Sequence, residues 1–387
     1  MHLTETSNIW LVAGVWMMLA ALSGFIAIRL KMPAALVEII VGIAAGNLIA
    51  LRTNAWIDFV AGFGSILLTF LAGAEIDPAV LRRQLVPSSV LGAASFATPF
   101  LAAGAYAYFV AHWTPDAAKI AGIAMSTTSV AVVYAVMIES GLAGKEFGQL
   151  ILAACFFTDL GTVIALGLLF ANYNLWLAGL SAAIVAAVAI VPRVLPGAIE
   201  RTRRYVSEPA LRVLFAIIFL LAALATFAKS EGVLPAYFLG LACAGMMTAM
   251  PEIKRRLQTM TMALLAPFYF LKAGTYVEIG AAWSQIGLIV ALFFAKVGAK
   301  FLGVLPPARL LFRYGAANAN YLTLMMATGL TFGTISSLYG LTHHYINQAQ
   351  YTALVTVVIL TAIVPTAVAQ ALFRPVEEPE EMEAEVP

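Results

Sequence analysis

The chain has 387 residues, 62% of them hydrophobic and 11% charged, with a formal net charge of +2 and a mean hydropathy of +0.93. That balance excludes an ordinary soluble domain and makes nucleic acid an unexpected partner. It suits an all-α polytopic membrane protein, in which each crossing takes roughly 20 apolar residues.

Apolar runs of that kind recur about thirteen times, at 9–28, 34–51, 56–75, 86–112, 117–138, 147–171, 173–193, 209–228, 232–250, 258–278, 282–305, 315–338 and 351–373. The first lacks a basic segment before it and a small-residue cleavage site after it, so it reads as a retained span. The acidic, proline-bearing tail RPVEEPEEMEAEVP reads as disordered. Sixteen lysines and arginines fall in the loops of one side, against Arg52, Lys119 and Lys229 on the other. Short cytoplasmic loops collect positive charge, which predicts the N-terminus outside and the C-terminus in the cytoplasm.

Polar residues inside the spans carry the functional argument, because an ionisable group in the bilayer is costly. In chain order, Glu38 lies in the second span and is a possible partner for Lys272 in the tenth. Asp58 is near the start of the third span, and Glu75, Asp77, Arg82 and Arg83 form a charge cluster at its far end. The fifth span contains MSTTSV, four consecutive hydroxyl residues including Thr128 and Ser129. Such a run competes with helical hydrogen bonding and predicts an interrupted helix.

Asp159 follows, at the midpoint of the sixth span in CFFTDLGTV, with Thr158 beside it. A carboxyl at that depth can hold a proton or a cation but not comfortably both, which is the minimal chemistry of proton-coupled cation exchange. FFAKVGAKFLGV places Lys296 and Lys300 one turn apart on a face of the eleventh span. One of them is expected at the site, while Lys300 is near enough to the cytoplasmic end to snorkel. AANANYLT brings Asn318 and Asn320 into the twelfth span. Cys155 and Cys243 read as small packing residues, and with no intramembrane histidine or metal cluster an enzyme is not expected, nor a cofactor.

FLAGAEID at 70–77 and FLKAGTYVEI at 270–279 share a pattern about seven spans apart. An odd number of crossings reverses direction, so these copies predict an inverted-topology repeat with two interrupted, crossing helices, the fifth and twelfth spans.

With these residues assembled, the chain resembles the monovalent cation:proton antiporter superfamily, the sodium/proton antiporters of NhaA/NapA-like fold. The resemblance covers nearly the whole length. It rests on MPAALVEIIVGIAAGNL, LLTFLAGAEIDPAVLRR, TSVAVVYAVMIESGLAGKEFGQLILAACFFTDLGTVIAL, SEGVLPAYFLGLACAG, LAPFYFLKAG and AKVGAKFLGV, in that order. It implies a homodimer whose protomers move a core against a scaffold as an elevator. The scaffold would be residues 1–85 and 209–281, the core 86–172 and 282–374, the linking helix 173–208 and the tail 375–387.

By position, Asp159 takes the place of the ion-binding aspartate and Lys296 that of the family's lysine, leaving Lys300 as an additional charge. Two departures stand out. Thr158 sits where the family usually has Asp or Asn, and Asn318 and Asn320 replace a charged pair. The resemblance therefore implies exchange of Na+ for H+ across a prokaryotic plasma membrane, electroneutral if Asp159 alone titrates. K+ or Li+ in place of Na+, and a sodium-coupled symporter of an organic anion on the same fold, stand as alternatives.

Overall fold

The computed structural model describes residues 8–30, 32–74, 82–142, 145–170, 174–202, 205, 208–228 and 232–375. Among them every regular element is helical. Nine helices among the described residues are long and apolar enough to cross a membrane by length and composition. Shorter apolar helices and two-part helices fill the remaining crossings, as thirteen spans require.

The chain begins with α1 (Ile9–Leu30), α2 (Ala34–Leu48) and α3 (Ala55–Ala74). Next come α4 (Leu85–Ala105), extended by a π-helical turn at Tyr106–Val110, and the two-part span α5 (Pro115–Ser126) and α6 (Val130–Glu139). Then follow α7 (Glu146–Leu169), α8 (Leu175–Thr202), α9 (Pro209–Phe227) and α10 (Val233–Ala249). α11 (Pro251–Met260) passes through a π-helical turn into α12 (Ala266–Thr275), and a short α13 (Ile279–Ser284) follows. α14 (Ile286–Pro306) again ends in a π-helical turn, Pro307–Leu311. The second two-part span is α15 (Ala316–Met326) and α16 (Thr331–Thr342), and α17 (Gln348–Leu372) closes the bundle.

The inverted repeat is visible in backbone irregularities that recur about 200 residues apart. The π-helical turn ending α4 has its counterpart at the end of α14. A left-handed residue follows each, His112 at φ 54° and Arg313 at φ 56°. The interrupted span α5–α6 matches α15–α16. Close helix approaches repeat as well. A side chain at Gly42 on α2 would collide with the Leu271 carbonyl on α12, and one at Gly240 on α10 with the Phe70 carbonyl on α3. If α2 corresponds to α10 and α3 to α12, these two contacts are the same contact seen from each half. Gly73 and Gly274 supply the partner sides, against Tyr237 and Ile39.

The breaks form where their residues direct them. Ser126 and Thr127 turn their hydroxyls back onto the carbonyls of Ile123 (2.7 Å) and Ala124 (3.2 Å), satisfying the end of α5. Thr127 then leaves the helix in extended conformation, φ −65° and ψ 152°. In the second break Thr328 does the same to Met325, at 2.8 Å. Non-helical backbone at membrane depth is tolerated only where protein covers it, and residues 126–129 and 328 are all buried.

Packing falls into two groups. In one, α2 lies on α12, and α3 on α10 and α12, with α8 and α9 alongside. In the other, α4 contacts α5, α7 and α14, while α17 contacts α14, α15 and α16. Large apolar side chains such as Trp10, Phe25, Leu175 and Leu302 stand on the outer surface, 74–87% exposed. An apolar exterior on this scale calls for lipid as its solvent, and the protein is an integral membrane protein.

Candidate ion-binding site

Asp159 lies mid-way along α7 and is 3% exposed, with Thr158 fully buried beside it. The Thr158 hydroxyl donates to the Cys155 carbonyl at 2.7 Å, so its oxygen keeps lone pairs for another partner. From the other packing group, Tyr237 of α10 stacks on Phe156, with ring centroids 6.0 Å apart. Its hydroxyl donates to the Phe156 carbonyl at 3.4 Å, and it sits within electrostatic reach of Asp159.

The two breaks cross next to this helix and are tied to each other. Thr128 Oγ1 donates to the Met326 carbonyl at 2.8 Å, and the Ser129 backbone N–H donates to the Thr328 carbonyl at 3.1 Å. The Ser129 hydroxyl accepts weakly from Val132 N at 3.4 Å, at the start of α6. Thr128 and Ser129 thus hold the two breaks together, while Thr158 and Asp159 stand buried on α7.

Both lysines of α14 are buried. Lys300 does not snorkel: it is fully buried. Its ammonium donates to Ser95 Oγ (2.7 Å), the Ser126 carbonyl (2.8 Å) and Thr128 Oγ1 (3.1 Å). An ammonium has three N–H donors, so all are used. It also lies within electrostatic reach of Asp159, Cys155 and Lys296. Lys296, which the resemblance puts at the site, is equally buried, but its Nζ presses against Gly329 in the second break. Among the described residues it finds no hydrogen-bond acceptor. The reason is registry: Gly303, three residues beyond Lys300, lets α14 press closely on Thr98 and Ala94 of α4. That contact brings Lys300 level with Ser95 and the first break, while Lys296 reaches Gly329 of the second.

Two other expected groupings are not formed. Lys272 pairs with Asp58, Nζ to Oδ1 2.7 Å, rather than with Glu38, which is buried on α2. Asn318 and Asn320 are half-buried near the start of α15. The break is seven residues beyond Asn320, about 10 Å along a helix axis. Of the charge cluster after α3, Glu75 and Asp77 lie outside the described residues, and Arg82 and Arg83 are exposed.

Sequence reasoning did not find Ser95, Cys155 or Gly329. Ser95 is a single serine in an apolar helix and Gly329 one glycine among many. Cys155, read as a packing residue, has its sulfur 3.9 Å from that of Met326 and within electrostatic reach of Asp159 and Lys300.

Comparison with known proteins agrees with this architecture. Residues 17–374 match the family described as sodium/hydrogen exchanger, transmembrane. The putative Na(+)/H(+) antiporter YjbQ of Bacillus subtilis (strain 168) is 23% identical over 91% of this chain, which spans 61% of that protein's length. The Na(+)/H(+)-K(+) antiporter GerN of Bacillus cereus is 24% identical, over 89% of this chain and 90% of that one. The sodium proton antiporter MjNhaP1 from Methanocaldococcus jannaschii, whose structure was solved at pH 8, superposes with a TM-score of 0.68 at 15% identity, covering 93% of this chain and 97% of that one.

Proposed function

The chain belongs to the sodium/hydrogen exchanger family, and from that premise we propose that it exchanges one monovalent cation, Na+ foremost, for one proton, with Asp159 as the group for which the two compete. The observation that carries this is a buried carboxyl on α7 within electrostatic reach of Lys300, whose ammonium is held by the first of two interrupted helices.

Each residue then has a role. Asp159 supplies the charge that holds the cation or takes the proton, and the oxygens of Thr158, Thr128 and Ser129 are the neutral ligands within its neighbourhood. Lys300, with three acceptors, stays an ammonium throughout. Lys296 sits just beyond the C-terminal end of α15, where the partial negative charge of a helix end favours a cation. With both lysines constant, a site holding carboxylate plus cation and one holding a neutral carboxyl carry the same net charge, so one-for-one exchange is electroneutral.

Alternating access follows from the two packing groups, read as a scaffold (α1–α3 and α8–α12, with α8 linking) and a core (α4–α7 and α14–α17). Between them a cleft of roughly 660 Å³ opens at one membrane face, with Ile28, Met32 and Leu36 on one wall and Val132, Val136 and Ile363 on the other. At the opposite face of the same boundary Phe170, Leu234 and Tyr339 line a pocket of only about 10 Å³. The loop charges put the wide cleft at the cytoplasmic side and the N-terminus outside. That combination supports a core sliding against its scaffold.

A K+/H+ exchanger is the second reading, favoured by the Na(+)/H(+)-K(+) activity in the name of the Bacillus cereus relative. Both readings are tested by reconstituting the full chain into proteoliposomes and following a pH dye on adding Na+, K+ or Li+. Dequenching by Na+ without any organic substrate is expected, and Asp159→Asn, nearly the same size but unable to ionise, is expected to abolish it while eluting as the folded protein. Unaltered exchange by that variant would refute the site.

A further inference from the structure

We infer that Ser95 is a positioning residue for exchange: its hydroxyl completes a cradle that parks the Lys300 ammonium on the α4 side of the site, leaving the Asp159 carboxylate to the transported cation. The inference rests on the proposed exchange at Asp159.

The hydroxyls on α4 behave differently from one another. Ser88 and Thr98 turn back to carbonyls of their own helix, those of Gln84 and Ala94. That local bond is the usual resting place of a helical serine or threonine. Ser95 does not take it. Among the described residues its hydroxyl is engaged by Lys300 alone, at 2.7 Å, the shortest of the three bonds the ammonium makes.

The other two acceptors, the Ser126 carbonyl and Thr128 Oγ1, belong to the first break, so the cradle joins α4 to the crossing. Its geometry is enforced from α14. Gly303 and Thr98 meet in tight contact one turn along from Lys300 and Ser95, fixing the two helices in register. Ser95 is fully buried, as are Lys300 and Thr128, so no water replaces a lost acceptor cheaply.

The consequence is competitive. An ammonium released from one acceptor has a free N–H and a carboxylate within electrostatic reach. Charge-assisted bonds between such partners are strong, so the loosened lysine contends with the cation for Asp159. The loss should appear in cation binding and not in the turnover of the loaded carrier.

The test is initial-rate exchange in proteoliposomes against cation concentration, for wild type, Ser95→Ala and Ser95→Thr. Ser95→Ala is expected to raise the KM for the cation roughly tenfold, equivalent to about 1.4 kcal/mol, with kcat within twofold. Ser95→Thr, which keeps the hydroxyl, is expected to return KM toward wild type. Should Ser95→Ala not fold, Ser95→Cys carries the same test through its weaker acceptor, with an intermediate KM expected. A wild-type KM in Ser95→Ala or Ser95→Cys, a loss confined to kcat, or no rescue by threonine overturns the assignment. Failure of the wild type to exchange any cation would instead sink the function on which it rests.

Discussion

Replacing Lys300 by methionine leaves Ser95 Oγ, the Ser126 carbonyl and Thr128 Oγ1 buried without their donor. Orphaned buried acceptors cost about 1–3 kcal/mol, so Lys300→Met should lower the melting temperature in detergent by several degrees. Lys296→Met removes an equally buried amine that has no acceptor among the described residues. That change exchanges a polar group compensated only by the end of α15 for an apolar one of similar length, and the protein should melt at the same temperature or higher. A larger loss for Lys296→Met than for Lys300→Met would contradict the placement of both side chains. The sequence shows two lysines four apart on one helix face and cannot separate them. What separates them is the depth at which Gly303 sets α14 against α4, a property of two helices distant in the chain. Asp159 was legible because a carboxyl in an apolar span is conspicuous by itself. Lys272 was equally conspicuous, yet its partner Asp58 could not be told from Glu38 without the packing of α2 and α3 against α12.

At the level of elements, the interrupted spans were readable where hydroxyls accumulate. MSTTSV breaks the helix because its side chains occupy the carbonyls at the end of α5. The second break was assigned to the right span, but Asn318 and Asn320 suggested it too early. The chain leaves the helix at 327–330, by a single glycine and Thr328, a weaker signal than paired asparagines. The π-helical turns ending α4 and α14 leave no pattern in composition, and they become informative only as a symmetric pair. Symmetry makes a prediction about the glycine contacts that join α2 to α12 and α3 to α10. Gly42→Val and Gly240→Val each drive a side chain into a carbonyl of the facing helix, Leu271 and Phe70 respectively. Backbone gives way less readily than side chains, so each should cost at least the 1–3 kcal/mol typical of overpacking. Because the contacts are related by the repeat, the two losses should be alike. Gly62→Ala, with nothing within 4 Å of the added carbon, should be neutral or gain up to about 1 kcal/mol from helix propensity. Thermal unfolding in detergent compares all three; a damaging Gly62→Ala or a harmless Gly240→Val would break the correspondence.

For the whole molecule the decisive quantity is the charge moved per cycle. In the proposed exchange Thr158 is a neutral neighbour where a second carboxyl would add a second proton-binding group, and Lys300, held by three acceptors, keeps its proton. On that proposal the cation-loaded and proton-loaded carriers cross the membrane with equal charge, and a membrane potential does no work on either. A one-charge imbalance would gain about 2.3 kcal/mol from 100 mV, which is a 40- to 50-fold change in the cation gradient sustained at equilibrium. Proteoliposomes clamped at zero and at 100 mV should therefore hold the same cation gradient for a given pH gradient in the wild type. Thr158→Asp places a second carboxyl one residue from Asp159, and two like charges that close ionise together only when a cation lies between them. On losing the cation such a pair takes up at least one proton; where it takes up two, the loaded forms differ by one charge and the Thr158→Asp carrier should sustain a gradient that follows the potential. A potential-dependent gradient in the wild type would mean that Lys296 or Lys300 gives up its proton during the cycle, and the constant-lysine account of the site would fall with it.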